Sequence, residues 1–173
     1  KRAAEVVRRL RDLFRRGTIQ LEPVKVAILL ERANTIGQEL NLAGDVTFRV
    51  DSIDGARMLL VDRVQIELVL RNLIANAFEA VAEMPAGKKG VTVSTRMPQG
   101  GGILFRVADT GEGMSPMVRQ RLFEPLSTSK PTGMGIGLAI SRTIAEAHGG
   151  SLTLSDRRHG QFDLVLPTEA DDE

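Results

Sequence analysis

Two asparagines spaced four residues apart are the first side chains of this sequence whose types and spacing suggest binding chemistry. Asn72 and Asn76, with Glu79 three residues further on, lie in a segment, 62–81, that has apolar residues at helical spacing. The apolar residues are Ile66, Leu70, Leu73 and Ala77. On a helix the three polar residues project from one side. Asn is a mediocre helix former, so two in register indicate that their amide groups bind something, although a solvated face is the alternative.

A carboxylate followed by two glycines stands where a predicted strand ends. Residues 103–108 alternate as a half-buried strand does, and the chain then breaks at Asp109, with Gly111 and Gly113 behind it. Asp109 could accept a hydrogen bond from an exocyclic amine, while the two glycines let the backbone approach a flat ring without Cβ clashes. The pattern suits adenine, but so short a match is also common in ordinary turns.

Three alternating glycines precede a second amphipathic segment. Gly133, Gly135 and Gly137 lead through Leu138 into a helical pattern at 139–148. Backbone N–H groups at the start of a helix bind phosphate readily when no side chain obstructs them. The Gly-Lys-Ser/Thr ending of a P-loop is missing, and no clear strand enters the glycines as in a dinucleotide-binding fingerprint. The segment therefore predicts a phosphate site outside these two classes.

The connection between the two glycine segments is long for a compact domain. Residues 115–132 are polar, include three prolines and contain a predicted short helix at 118–122. Connections of this length are commonly functional lids, and the flanking glycines would serve as hinges. Lys130 could close over phosphate charge. We therefore interpret residues 114–132 as a lid, with a simple mobile loop as the alternative.

Other patterns predict the elements that position these segments. We expect strands at 22–26, 46–53, 58–61, 91–97, 103–108, 151–155 and 161–166, and helices at 27–42, 62–81 and 139–148. Residues 1–16 carry apolar residues three and four apart, and Gly17 is placed as a helix stop, which predicts one more helix. The result is an α/β chain with a mixed, largely antiparallel sheet.

In this order, the four segments resemble the catalytic and ATP-binding domain of two-component sensor histidine kinases, in the gyrase, Hsp90, histidine kinase and MutL superfamily. Residues 72–77 match the N box of that family, 109–113 the G1 box, 122–125 the F box and 133–138 the G2 box, and 149–154 resemble the closing strand. The similarity covers residues 18–167. It implies a two-layer α/β sandwich in which helices cover one face of the sheet and ATP lies between the helices and the lid.

The resemblance implies a role for each motif residue. Asn72 and Asn76 would be the catalytic residues. Asn76 would give its side-chain oxygen to Mg²⁺, a hard cation that prefers oxygen ligands. Asn72 would support the ATP phosphates. Asp109 would read adenine, with Gly111 and Gly113 at the base pocket. The remaining assignments are phosphate contacts at Gly133, Gly135, Gly137, Leu138 and Lys130, and a lid anchor at Phe123.

The resemblance also implies a reaction and partners. The domain would bind ATP and Mg²⁺, release ADP, and present the γ-phosphoryl group to a histidine of its own dimerisation domain, for relay to an aspartate of a response regulator. Residues 1–17 would be the end of the dimerisation helix, which forms a four-helix bundle in a homodimer, or else a surface helix of this domain; residues 168–173 would be an acidic tail. His148 and His159 lack the acidic residue and downstream Pro of the family's acceptor, so we expect His148, at a helix end, to be structural.

Two other functions stay open at this point. An ATPase switch of the gyrase or chaperone kind would have a Glu where Asn72 stands, as the general base for water. Asn cannot take a proton, so the pattern favours a kinase. A nucleotide-free interaction module would have kept the fold and lost the chemistry, but the presence of Asn76, Asp109 and the glycines argues against it.

Composition limits the remaining possibilities. The 173 residues are 42% hydrophobic, which suits one core domain with an appended element. A net charge of +1 predicts neither a nucleic-acid partner nor membrane contact, and the lack of cysteine excludes disulfides and thiol catalysis. No apolar run approaches the roughly 20 residues needed to cross a bilayer, and no signal peptide opens the chain. Composition leaves the compartment open, and the resemblance implies that these residues are cytoplasmic, with any membrane anchor of the full-length protein elsewhere.

Overall fold

The computed structural model describes residues 18–52, 55, 57–125, 135–156 and 158–168. The predicted helix at 1–17, Lys130, Gly133 and the acidic tail from 169 lie outside the described residues. The strands are β1 (Glu22–Lys25), β2 (Thr47–Asp51), β3 (Met58–Val61), β4 (Gly90–Arg96), β5 (Ile103–Asp109), β6 (Ser151–Asp156) and β7 (Gln161–Leu166). The helices are α1 (Val26–Leu40), α2 (Arg63–Val81), α3 (Pro116–Gln120) and α4 (Gly137–Ala147).

The strands of the described chain form two sheets. The main sheet has five strands in the order β2-β4-β5-β7-β6, and β1 pairs with β3 in a separate two-stranded sheet. β2 runs parallel to β4, while the other neighbours in the main sheet are antiparallel. The predicted mixed, largely antiparallel sheet is therefore confirmed. The separation of β1 and β3 from it was not predicted, because strand pairing depends on tertiary contacts.

The two faces of the main sheet differ in polarity. Val93, Val107 and Phe105 are buried on one face, where α1, α2 and α4 contact the strands. On the other face, Arg106 lies opposite Asp163 on the neighbouring strand. Successive side chains of a strand point to opposite faces, so the apolar residues at every second position form one face, and the helices cover that face. The two-layer α/β sandwich is confirmed.

The helix that carries the two asparagines has a defined start. Asp62 caps α2, since its Oδ1 accepts a hydrogen bond from the N–H of Gln65 at 3.2 Å. The predicted apolar face of α2 is buried, and Asn72 and Asn76 are half-buried at its edge. The helix thus presents both amides on one side, as the spacing predicts.

Helix boundaries differ from the prediction by one or two residues, and the differences at α3 and α4 affect the site. The short helix α3 lies two residues earlier than expected, because Ser115 accepts a hydrogen bond from the N–H of Val118 at 3.3 Å and Pro116 occupies the first helical position. Similarly, α4 begins at Gly137 rather than after it. Gly137 and Leu138 therefore lie in the first turn of the helix.

Candidate functional site

A cleft of about 690 Å³ lies between α2, the end of β5 and the start of α4. Its volume suits a small-molecule ligand. The predicted site residues that line it are Asn72, Asn76, Asp109, Gly113, Gly135, Gly137 and Leu138. Gly111 is buried behind the cleft wall and Phe123 lies outside it, whereas Lys130 and Gly133 are outside the described residues. The fold thus brings the three separated motifs to one cleft.

Asn72 joins the two helices that border the cleft. Its Nδ2 donates to the carbonyl oxygen of Gly137 at 3.3 Å and to Oγ of Ser141 at 3.2 Å. Ser141 is fully buried, so this contact is shielded from water. Asn72 therefore positions the start of α4 relative to Asn76, one turn further along α2.

Asn76 is half-buried and lines the cleft. Among the described residues, none hydrogen-bonds to its side chain, so its amide oxygen is available to a ligand. The described residues include no group of three His, Cys, Asp or Glu that could hold a metal ion. A Mg²⁺ ion here would depend on Asn76 and on oxygens of the bound ligand, which is how Mg²⁺ commonly binds with nucleotides. The residues present fit such an ion.

Asp109 is held by its own loop and by the turn between β6 and β7. Its Oδ1 accepts the N–H of Gly111 at 2.8 Å, and its backbone N–H donates to the carbonyl of Gly160 at 2.8 Å. A Cβ at Gly160 would overlap the Asp109 carboxylate, so this glycine provides the space that the carboxylate occupies. This role of Gly160 was not predicted from the sequence, because a single glycine before a strand is too common a signal.

Two of the lining glycines require their residue type. Gly113 has a φ of 79° and Gly135 a φ of 65°, a backbone conformation that side-chain-bearing residues rarely adopt. Gly111 is restricted differently, since a Cβ there would come within 2.8 Å of the Ala80 carbonyl oxygen on α2. The glycines therefore allow close backbone approaches on both sides of the cleft.

The lining of the cleft is apolar around Asp109 and acidic at its edge. The apolar lining residues include Met84, Val107, Met114 and Phe162. The carboxylates besides Asp109 are those of Glu79, Glu83 and Glu112, and no Lys or Arg lines the cleft among the described residues. A flat ring suits the apolar part, but a ligand with several negative charges needs a cation to offset the carboxylates.

Phe123 packs near the end of the described part of the predicted lid. Its ring meets that of Phe162 edge-on, with 6.4 Å between centroids, and the guanidinium of Arg142 lies 4.9 Å from its centroid. Because Phe162 lines the cleft, Phe123 connects the described part of the predicted lid to the cleft wall.

Both histidines have structural partners. His148 is buried: its Nδ1 donates to the carbonyl of Ile144 at 2.8 Å, and its Nε2 accepts the backbone N–H of Asp62 at 3.0 Å. His148 therefore links the end of α4 to the cap of α2, a role that the helix-end argument did not identify. Nδ1 of His159 lies 2.6 Å from the carbonyl oxygen of Gly111.

Comparisons with known proteins identify the family of this chain and structures with a similar fold. A family model described as histidine kinase-, DNA gyrase B-, and HSP90-like ATPase matches residues 61–170. Sensor protein FixL of Bradyrhizobium diazoefficiens is 38% identical over 169 residues, which cover 96% of this chain and 33% of FixL. The chain thus spans about a third of that relative's length.

Solved structures share the fold. The catalytic domain of histidine kinase ThkA aligns with a TM-score of 0.74 at 23% identity, over 86% of this chain and 96% of that one. ThkA in complex with response regulator protein TrrA aligns with a TM-score of 0.76 at 18% identity, over 99% of this chain and 49% of that one. Full-length ShkA in complex with AMPPNP aligns with a TM-score of 0.70 at 26% identity, over 88% of this chain and 32% of that one. In the described residues, no helix has the length and apolar character of a membrane span.

Proposed function

Since the chain belongs to the family of histidine kinase-, DNA gyrase B- and HSP90-like ATPases, as an ATP-binding catalytic domain of the sensor histidine kinase type, we propose that it binds ATP with Mg²⁺ and supplies the γ-phosphoryl group to a histidine. The acceptor lies on a dimerisation domain of the full-length homodimer, and a response regulator takes the group next. The supporting observation is the single cleft shared by Asn76, Asp109 and the start of α4. We place this chemistry on the cytoplasmic side.

Each part of the cleft suits one part of ATP. Asp109 accepts a hydrogen bond from the exocyclic amine of adenine, and the apolar wall packs against the ring. The N–H groups at the start of α4 face the phosphates, and Asn72 keeps that start in place. Asn76 provides an oxygen for Mg²⁺, which offsets phosphate charge when it is bound.

The chain contributes to transfer mainly by positioning. The bond between the γ-phosphorus and the β,γ-bridging oxygen breaks, a bond from phosphorus to an imidazole nitrogen of the acceptor forms, ADP leaves, and the imidazole loses its N–H proton to solvent. Phosphoryl transfer of this kind needs little covalent participation by the protein, since orientation and charge stabilisation supply most of the rate. Asn72, which stands where a hydrolase would have its general base, cannot take a proton, and this fits that requirement.

Hydrolysis by an ATPase mechanism is less well supported. Asn72 occupies the position of the general base, and its amide already donates to Gly137 and Ser141. Glu67 is paired with Arg63 at 2.8 Å and Arg32 at 3.4 Å, and is not among the lining residues of the cleft. We therefore expect only slow hydrolysis of ATP.

Calorimetric titration with a non-hydrolysable ATP analogue tests the proposal. We expect binding that Mg²⁺ strengthens. We expect no measurable binding to the Asp109→Asn variant. If the amide oxygen of that Asn still accepts the N–H of Gly111, its NH₂ group faces the adenine amine, and two donors then meet. Asp45→Asn, an exposed carboxylate paired with Lys89, is the matched control and should bind as the unsubstituted chain does. A folded chain that does not bind the analogue would refute the nucleotide site.

A further inference from the structure

The turn between β6 and β7 contacts the loop behind Asp109 through two adjacent residues. The carbonyl of Gly160 accepts the backbone N–H of Asp109 at 2.8 Å. Next to it, Nδ1 of His159 lies 2.6 Å from the carbonyl oxygen of Gly111. A carbonyl oxygen only accepts, so Nδ1 of His159 carries the proton and donates it. The loop is therefore tied to this turn at both Asp109 and Gly111.

Gly111 is fixed on both sides by these contacts. Its N–H donates to Oδ1 of Asp109 at 2.8 Å, and its carbonyl accepts from His159. Gly111 is also buried against the carbonyl of Ala80. Glycine has unusual backbone freedom, so such contacts restrain a residue that would otherwise rotate easily. A rotation of Gly111 would break the hydrogen bond that orients the Asp109 carboxylate.

The turn that carries His159 is itself ordered by hydrogen bonds. The backbone N–H of Arg158 donates to Oδ1 of Asp156 at 2.8 Å. That contact holds the pKa of the Asp156 carboxyl below its usual value, and the backbone N–H of His159 adds to the effect. Oγ of Ser155 donates to the carbonyl of Gln161 at 3.1 Å across the turn. His159, an exposed residue, therefore lies between two hydrogen bonds that link the described residues of this turn.

We propose that His159 is a positioning residue for adenine recognition, which acts through Gly111 on the Asp109 carboxylate without touching the nucleotide. This inference rests on the proposed nucleotide site. The imidazole restrains one glycine whose N–H orients the carboxylate that reads the base. Loss of one such hydrogen bond is expected to weaken ATP-analogue binding about three- to tenfold.

Side-chain geometry provides the test. The Nδ2 of Asn is as many bonds from Cα as the Nδ1 of His, so His159→Asn keeps a donor for the Gly111 carbonyl. His159→Gln moves the donor one bond further out, and His159→Ala removes it. We expect near-normal affinity for the Asn variant and the three- to tenfold loss for the Gln and Ala variants. Arg158→Ala, at the exposed neighbouring position in the same turn, is the control and should leave affinity unchanged.

Affinity is measured by calorimetry with the analogue and Mg²⁺, and thermal unfolding confirms that each variant is folded. In parallel, the carbonyl ¹³C shift of Gly111 in nucleotide-free protein reports its hydrogen bond and should change in the Ala variant but not in the Asn variant. Unchanged ATP-analogue affinity in His159→Ala, equal losses for the Asn and Gln variants, or an unchanged Gly111 shift would each overturn the inference alone. Failure of the unsubstituted chain to bind would overturn the proposed function and this inference together.

Discussion

Replacement of His148 by Ala should destabilise the domain, because it leaves a buried backbone N–H without an acceptor. His148 is 9% exposed, and its Nε2 accepts the N–H of Asp62, a residue that is 6% exposed. A buried donor without a partner costs about 1–3 kcal/mol, and the lost packing of the ring adds to this. We expect His148→Ala to lower the free energy of unfolding by about 2–4 kcal/mol. For a domain of this size the midpoint of thermal unfolding should fall by about 5–15 °C.

Two further variants separate the hydrogen bonds of His148. Oε1 of Gln is as many bonds from Cα as Nε2 of His, so His148→Gln can still accept the N–H of Asp62 and should lose about 1 kcal/mol or less. His148→Asn keeps only a donor toward the carbonyl of Ile144. That carbonyl also accepts the backbone N–H of residue 148 at 3.2 Å, so the side-chain donor adds little and the Asn variant should resemble the Ala variant. The chain has no Trp or Tyr, so far-ultraviolet circular dichroism is the appropriate probe of unfolding. Equal losses for Gln and Ala would refute the reasoning.

Three other predictions address the site and the sheet. Asn76→Ala should remove the Mg²⁺ dependence of analogue binding, as followed by calorimetry, while Asn34→Ala on the exposed surface of α1 should retain it. With ATP labelled at the γ-phosphate, this chain should hydrolyse slowly and carry no stable label on His148 or His159 after denaturation; retained label on either would contradict the separate acceptor. Asp163→Asn should lower the free energy of unfolding in urea by about 1–3 kcal/mol, because Arg106 holds that carboxylate through two hydrogen bonds of 2.7 Å. The side chains of Arg106 and Asp163 are 22% and 10% exposed. Asp45→Asn, at the surface, should have little effect.

Local sequence patterns predicted the elements well, because each depends on neighbours within a few residues. The spacing of Ile66, Leu70 and Leu73 gives the buried face of α2, and the alternation through 103–108 gives β5. The predicted position of α3 is two residues too late, because the Ser115 cap was not used to predict the helix start. Pairing of β1 with β3, apart from the main sheet, depends on contacts that no local pattern encodes.

In the candidate site, too, the residues of local motifs were predicted from the sequence and the residues that support them from elsewhere in the chain were not. Most of its motif residues in the described chain line the cleft, because Asp109 ends β5, Gly137 begins α4 and the asparagines lie on the side of α2 that faces them. The supporting residues Gly160 and His159 carry no motif and act from a turn about fifty positions later in the chain than Asp109. A supporting contact of this kind is set by the register of β5 against β7, which pairs Ala108 with Gln161. Sequence spacing within one segment cannot show it.

The two histidines support the structure through different ring nitrogens. At His148, Nε2 accepts a hydrogen bond that no other described group replaces, whereas at His159, Nδ1 donates the important one. The same pair of substitutions should therefore rank in opposite order: Gln above Asn in stability at position 148, and Asn above Gln in nucleotide affinity at position 159. A general intolerance of substitution at either position would give no such reversal. The reversal thus tests the hydrogen-bond geometry itself, at one buried histidine, His148, and one exposed histidine, His159.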